Sequence, residues 1–389
     1  MITTVAVEGF RSLRSLVLEL GQVTLVTGAN GSGKSSLYRA LSLLADTAQG
    51  SMIASLARQG GLQSVLWAGP EQISHQMRIG EVPVQGKARR VKPVSLQLGF
   101  ATEELGYMID VGLPTPRASL FDHDPEIKRE LVFAVPLMRP ASLLVRRKNA
   151  QVDVNDDGWR RVVEDLPSRL SMLGELADPT AYPELLGMRQ EVRSWRFYDS
   201  FRTDATAPAR QPQVTTWTPV MAGDGADLLP ALGTVMESAF AEPLHQAIAS
   251  AFPGGELRLF DQGRRLELAF HQHGLLRPLS GEELSDGTLR FLLLAAALLS
   301  PRPPGLLVLN EPETSLHPDV LPALADLVVA ASRRTQVVVV SHSPVLADRM
   351  RAGIGEGLVH VELVKDTGET VVAGREGLLD QPAWNWGHR

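Results

Sequence analysis

One stretch, Gly28-Ala29-Asn30-Gly31-Ser32-Gly33-Lys34-Ser35, constrains this chain more than any other. Before it, Val23 to Thr27 is short, apolar and β-branched, which predicts a buried strand. After it, Ser36 to Leu44 places Leu37, Leu41 and Leu44 on one face, which predicts a helix. Strand, glycine-rich loop and helix opening on Lys-Ser is the setting in which a P-loop cradles phosphate. Glycines let backbone N–H groups converge on an anion without a Cβ in the way. The helix N-terminus adds the positive end of its dipole. The amides of Asn30, Gly31, Ser32, Gly33 and Ser36 would therefore face the phosphates. Lys34 would bring a point charge to the β- and γ-phosphates, and the Ser35 hydroxyl would face Mg²⁺.

A chain of 389 residues implies two or three lobes. A net charge of −6 argues against a generally basic nucleic-acid coat but allows a local patch. The absence of cysteine excludes disulfides and thiolate chemistry and fits a reducing cytoplasm. The N-terminus lacks a signal-peptide plan. The longest apolar run, Phe291 to Leu299, is too short for a bilayer, so a soluble protein without a membrane partner is expected.

Three parts are expected: 1–115, 116–215 and 216–389. Residues 2–8, 13–20 and 23–27 read as an opening β-meander, with Arg11 in its first turn. Arg11 is either a phosphate contact or a solvated turn arginine. Val94–Phe100 and Tyr107–Val111 read as a hairpin of strands. Lys87, Arg89, Arg90 and Lys92 form one basic cluster and Arg146-Arg147-Lys148 a second. Each reads either as a solvated run or as a phosphate track. Prolines break the chain after 113, and Leu166 to Arg193 reads as helical, so 116–215 is expected to be a compact, mostly helical insertion. Trp195 to Asp199 reads as a strand returning to the main sheet.

Leu306 to Asn310 is a buried strand that delivers polar groups at its C-terminal end, where open α/β sheets bind ligands. Glu311 follows as the carboxylate able to orient an attacking water. Asn310 stands where a metal-holding aspartate is expected; its amide oxygen can accept from a magnesium-bound water but brings no charge. Slow turnover or weaker metal retention is therefore expected. Val337 to Val340 is another such strand, ending near His342, a candidate γ-phosphate sensor. Ser285-Asp286-Gly287 opens the long apolar helix, either as a second anion site or as a plain capping turn.

Taken together these segments resemble the ABC-type ATPase head of the RecF/SMC-like superfamily, and most of all its bacterial stand-alone RecF-like members. Gly28–Ser35 matches Walker A, Ser285-Asp286-Gly287 the signature motif, Leu306–Glu311 Walker B, Ser315-Leu316-His317-Pro318 the D-loop and His342 the switch histidine. The resemblance covers both ends of the chain and only loosely the middle. It implies an α/β P-loop NTPase head with a mixed central sheet and an N-terminal antiparallel β-subdomain. It also implies that two heads enclose two ATP molecules with Mg²⁺. Ser285, Asp286 and Gly287 would then act in trans, on the partner's nucleotide. Asn310 in place of aspartate and Asp286 in place of a common glycine depart from the pattern. A glutamine completing the metal site falls on Gln97 or Gln63.

The spacing from Lys34 to Glu311 is far longer than a transporter ATPase needs and too short for a long coiled coil. The stretch after His342 has room for a few strands and a tail, and none for a nuclease domain. Two functions remain open. One is an ATP-hydrolysing homodimer associated with DNA in repair or genome maintenance, suggested by the basic clusters. The other is a slow ATP-gated switch that controls a protein effector, for example in a defence system, suggested by Asn310 and the acidic balance.

Overall fold

The computed structural model describes residues 1–71, 73–78, 81–83, 95–115, 119–176, 178–375 and 380–387. In chain order the strands are β1 (Ile2–Phe10), β2 (Leu13–Glu19), β3 (Val23–Thr27), β4 (Leu96–Thr102), β5 (Leu105–Gly112), β6 (Glu126–Ala134), β7 (Leu143–Lys148), β8 (Gln151–Asn155), β9 (Trp159–Val163), β10 (Arg196–Tyr198), β11 (Gln213–Val214), β12 (Glu256–Asp261), β13 (Arg265–His271), β14 (Leu279–Ser280), β15 (Leu306–Asn310), β16 (Gln336–Val340), β17 (Leu358–Asp366) and β18 (Glu369–Val372). The helices are α1 (Lys34–Ala48), α2 (Met52–Arg58), α3 (Leu62–Val65), α4 (His75–Arg78), α5 (Met172–Glu175), α6 (Pro183–Ser194), α7 (Leu228–Met236), α8 (Ala241–Ala251), α9 (Asp286–Leu298), α10 (Leu321–Ser332) and α11 (Pro344–Ile354). By contacts they form two compact units. The first is Met1–Gly21, Thr27–Ser194 and Val361–Arg389; the second is Gln22–Val26 and Trp195–His360.

The first unit is built on an antiparallel sheet of order β2-β1-β4-β5-β6-β7-β8-β9. Its inner strands β4 and β5 are buried along almost their whole length. The outer strands carry charge, and one charged pair is turned inward. Glu130 on β6 lies directly across from Arg147 on β7. The two pair at 2.8 Å with both side chains fully buried. Tyr107 Oη, Ser171 Oγ and the Met172 amide also donate to Glu130. Burial, followed by the Glu130 charge, pushes the Tyr107 phenol far above its ordinary pKa. A buried ion pair persists only when its remaining polar atoms are satisfied in this way. The C-terminal segment returns to the same unit, where Trp384 meets Phe133 edge-on and Trp386 packs beside it.

Two expectations change here. The opening segment is not a three-strand meander: β1 and β2 form a hairpin, while β3 pairs in parallel with β16. The burial of β3 on both faces explains this, because a strand apolar on both sides suits a covered parallel sheet. The 116–215 insertion is not mostly helical. Residues 126–163 supply four strands of the antiparallel sheet, and among the described residues α-helix is confined to α5 and α6. Pro125, Pro136 and Pro140 lie between strands, where a missing N–H breaks no ladder.

The second unit holds the parallel strands β10, β15, β16 and β3 as successive neighbours. The expected strand at 195–199 is β10, pairing with β15. Val337, Val339, Leu307 and Leu309 point into a core shared with α7, α8, α9 and α10. The apolar run 291–299 accordingly lies inside this core. A small antiparallel sheet of β11, β13, β12 and β14 completes the unit.

Candidate active site

In the first unit, the P-loop is held from behind by the C-terminal hairpin β17–β18. A Cβ on Gly33 (φ 112°) would stand 2.2 Å from Thr370 Oγ1, and one on Gly28 (φ 147°) 2.2 Å from Leu363 O. Only glycine fits either place. Thr370 Oγ1 donates to Ser32 O at 2.7 Å and bonds Ser12 Oγ at 2.8 Å, which ties the loop to the hairpin. Lys34 is 4% exposed, and its ammonium donates to Gly28 O at 2.7 Å and Ala29 O at 3.1 Å. α1 starts at Gly33 without a side-chain cap among the described residues, so its first amides are left for an anion. Asn30, Gly31 and Ser35 are exposed around the loop and Ser36 is half-buried.

Arg11 occupies the β1–β2 turn with φ 51°, and its Nη2 donates to Gln59 Oε1 at 3.1 Å. Burial and then the Arg39 charge lower its pKa. Gln97 is buried in β4 and donates to Asp110 Oδ2 at 3.0 Å. Its amide nitrogen is engaged inside the antiparallel sheet. Of the second basic cluster, Arg147 is consumed by Glu130, and Arg146 pairs with Asp153 at 3.1 Å and stacks over Trp159. Lys148 is exposed. The cluster at 87–92 lies outside the described residues.

In the second unit, three parallel strands end in register. Asn310 lies opposite Val340, and Val340 opposite Val26, so Glu311, Ser341 and the chain leaving β3 depart from the same end of the sheet. Glu311 turns out with φ 46°, a left-handed conformation that costs a non-glycine residue about 1–2 kcal/mol. Its carboxylate reaches 4.0 Å from His342 Nδ1. The nearer acid is Glu313, which sequence analysis gave no role. Glu313 is 7% exposed; its Oε1 accepts from Ser341 Oγ at 2.7 Å and the His342 amide at 2.8 Å, and stands 3.1 Å from His342 Nδ1. Glu313 thus orients His342, while Glu311 stays half-exposed.

Arg290 on α9 also went unnoticed in the sequence. Its Nη2 donates to Asp199 O and Glu311 O, each at 3.1 Å, and so ties β10 to β15 at their ends. Burial lowers its pKa, opposed by Asp199, Glu313 and Glu311. Asn310 is 8% exposed; its Nδ2 donates to Asp199 Oδ1 at 2.8 Å, and its Oδ1 is buried with no hydrogen-bond partner among the described residues. No group of three or more His, Asp or Glu among the described residues could hold a metal unaided. Magnesium in a nucleotide site uses one or two side chains plus phosphate oxygens and water. Within the second unit the unmatched Asn310 oxygen, and within the first the exposed Ser35 hydroxyl, are each a ligand type of that sparse kind.

The signature segment caps α9, with Ser285 Oγ accepting from the Thr288 amide at 3.1 Å. A Cβ on Gly287 would stand 2.9 Å from Ser315 O, so the segment lies against the D-loop. Ser285 and Asp286 are exposed and Gly287 is half-buried. Beneath them Arg210, 7% exposed, donates to the carbonyls of Thr203, Gly281, Glu282 and Leu284 and to Asp286 Oδ1 at 2.7 Å. No helix among the described residues is long and apolar enough to cross a membrane.

Among solved structures, the chain is similar to an SMC head domain from Thermotoga maritima, with 14% identity, 96% of this chain and 98% of that one covered, and a TM-score of 0.46. It is also similar to an Smc head domain with an extended coiled coil bound to the C-terminal domain of ScpA from Pyrococcus furiosus (14% identity, 96% and 95% covered, TM-score 0.49). A third similar structure is an SmcHead bound to the C-winged helix domain of ScpA (15% identity, 96% and 97% covered, TM-score 0.49). No curated protein matches the sequence. A family described as "AAA domain" matches residues 4–48, which include the P-loop. A second family, described as "AAA domain, putative AbiEii toxin, Type IV TA system", matches residues 141–348, more than half of the chain. With a P-loop of this build and a match of that extent, the chain is an AAA-type ATPase and belongs to this second family.

Proposed function

We propose that the protein binds ATP with Mg²⁺, hydrolyses it, and pairs with a second copy around the nucleotides. The amides of Asn30 to Ser36 and the Lys34 ammonium hold the triphosphate. Ser35 Oγ and Asn310, through water, hold the metal, which when bound offsets phosphate charge. Glu311 orients the attacking water, and His342, steered by Glu313, senses the γ-phosphate. Arg11 contributes a phosphate contact; Gln97, its nitrogen held by Asp110, stays a candidate for the metal set through its amide oxygen. The exposed signature residues Ser285 and Gly287 meet the nucleotide of the partner copy, with Asp286 held by Arg210. The observation that carries this reading is the register Asn310–Val340–Val26, because ligands of parallel sheets bind at the C-terminal ends of the strands.

Coupling to DNA in repair or genome maintenance draws on Lys128, Arg146, Lys148 and Arg161, which line a cavity of about 930 Å³ in the first unit. A slow ATP-gated switch acting on a protein effector is favoured by a different observation. Asn310 brings no charge, Arg147 is consumed internally, and the family description names a toxin of a toxin–antitoxin system. Phosphate release by the parent and by Glu311→Gln, with and without duplex DNA, separates the two. Stimulation by DNA that fades with salt supports the first. ATP-dependent pairing with negligible release, whatever the DNA, supports the second. Unchanged release by Glu311→Gln removes Glu311 from its role.

A further inference from the structure

The strand that should end in a metal-holding acid ends in an amide, and the acid stands on the neighbouring strand. β10 runs parallel to β15 with Tyr198 opposite Leu309, so Asp199 comes beside Asn310. A carboxylate oxygen can only accept, so the 2.8 Å contact with Asp199 Oδ1 fixes which way the Asn310 amide faces. Its nitrogen points to Asp199, and its oxygen is left buried and unmatched among the described residues. A buried acceptor without a donor is unfavourable unless something fills the need. Asp199 itself is exposed, and its backbone is fixed by Arg290.

We propose that Asp199 supplies the negative charge toward magnesium that Asn310 cannot, acid and amide having exchanged places between adjacent strands. The proposal rests on the ATP-binding reading above. It also accounts for the amide, since a second carboxylate at 310, within 3 Å of Asp199, would repel the first.

The test uses the full chain and Mn²⁺ as the probe. Free Mn²⁺ is counted by electron paramagnetic resonance in the presence of a non-hydrolysable ATP analogue. Binding of a fluorescent ATP analogue is measured separately in EDTA. Asp199→Asn is nearly isosteric and keeps an acceptor for the Asn310 amide, so a purely orienting role for Asp199 predicts no change. The proposal predicts that Asp199→Asn weakens Mn²⁺ retention about tenfold or more, with nucleotide affinity in EDTA within about twofold of the parent. The exchanged pair, Asp199→Asn with Asn310→Asp, should restore retention to within about threefold of the parent. Mn²⁺ held as tightly by Asp199→Asn as by the parent overturns the proposal. So does a folded exchanged pair, judged by its melting temperature, that binds as weakly as the single variant. A parent protein that binds no nucleotide in either condition instead removes the ATP-binding reading on which the proposal stands.

Discussion

Replacing Arg210 by Met should loosen the signature segment and destabilise the second unit. Met keeps the apolar stem and removes every donor of the guanidinium. The carbonyls of Gly281 and Leu284, both in buried residues, then lose partners at 3.2 and 2.6 Å. Thr203 O loses two more donors, at 2.9 and 2.8 Å. Each buried acceptor left unmatched costs about 1–3 kcal/mol. Because the acceptors share one donor group, the sum is not additive, and about 3–5 kcal/mol is expected. The Asp286 side chain is 62% exposed, so Asp286→Ala should cost less than about 1 kcal/mol. Urea unfolding of the full chain followed by circular dichroism reads the loss. Arg210→Met should also bind ATP while failing to pair with a second copy, because the P-loop is untouched. If Arg210→Met unfolds within about 1 kcal/mol of the parent, or Asp286→Ala costs as much, the assignment of Arg210 as the support of this segment is wrong.

The buried pair in the first unit makes a second prediction: Arg147→Met strands the Glu130 charge and should cost about 3–5 kcal/mol, and adding Glu130→Gln should recover at least half. Additive losses in that denaturant cycle would show that the two residues are not coupled. Burial holds the Tyr198 phenol well above its free value of about 10, so the folded chain keeps this proton longer than the unfolded one. Stability from this group is therefore level below pH about 10 and falls as pH rises beyond it. Tyr198→Phe loses the hydrogen bond to Met221 O and about 1 kcal/mol at neutral pH, yet should lose stability less steeply between pH about 10 and about 12. An alkaline slope equal to the parent's would contradict this.

What could be read from the residues alone follows from where each signal is encoded. β3, β15 and β16 are rich in Val and Leu, and every one of their residues but Thr27 is buried. Buried on both faces, such a strand announces itself without its neighbours. The P-loop was equally plain, and its glycines leave no room for a Cβ at Gly28, against Leu363 O, or at Gly33, against Thr370 Oγ1. The strands of 126–163 were not legible. Glu126, Lys128, Arg129, Arg146, Arg147 and Lys148 look like solvated loop, and only the cross-strand partner Glu130 explains a buried Arg147. Asp199 was visible at the end of an expected strand, but its meaning comes from Asn310, a neighbour only through the β10–β15 pairing. Glu313 lay two residues past Glu311 in plain view. Nothing local says which of two acids turns outward; the left-handed backbone at Glu311 and the Ser341–His342 donors around Glu313 decide it.

In the proposed mechanism Glu311 acts on an ATP held by the P-loop and shared with a second copy. Sedimentation of Glu311→Gln with Mg²⁺ and radiolabelled ATP tests it most directly. The account predicts a dimer that retains intact ATP, one per chain, and that Lys34→Ala in the same background stays monomeric and empty. A Glu311→Gln protein that remains monomeric with ATP, or that returns ADP at the parent's rate, would contradict it.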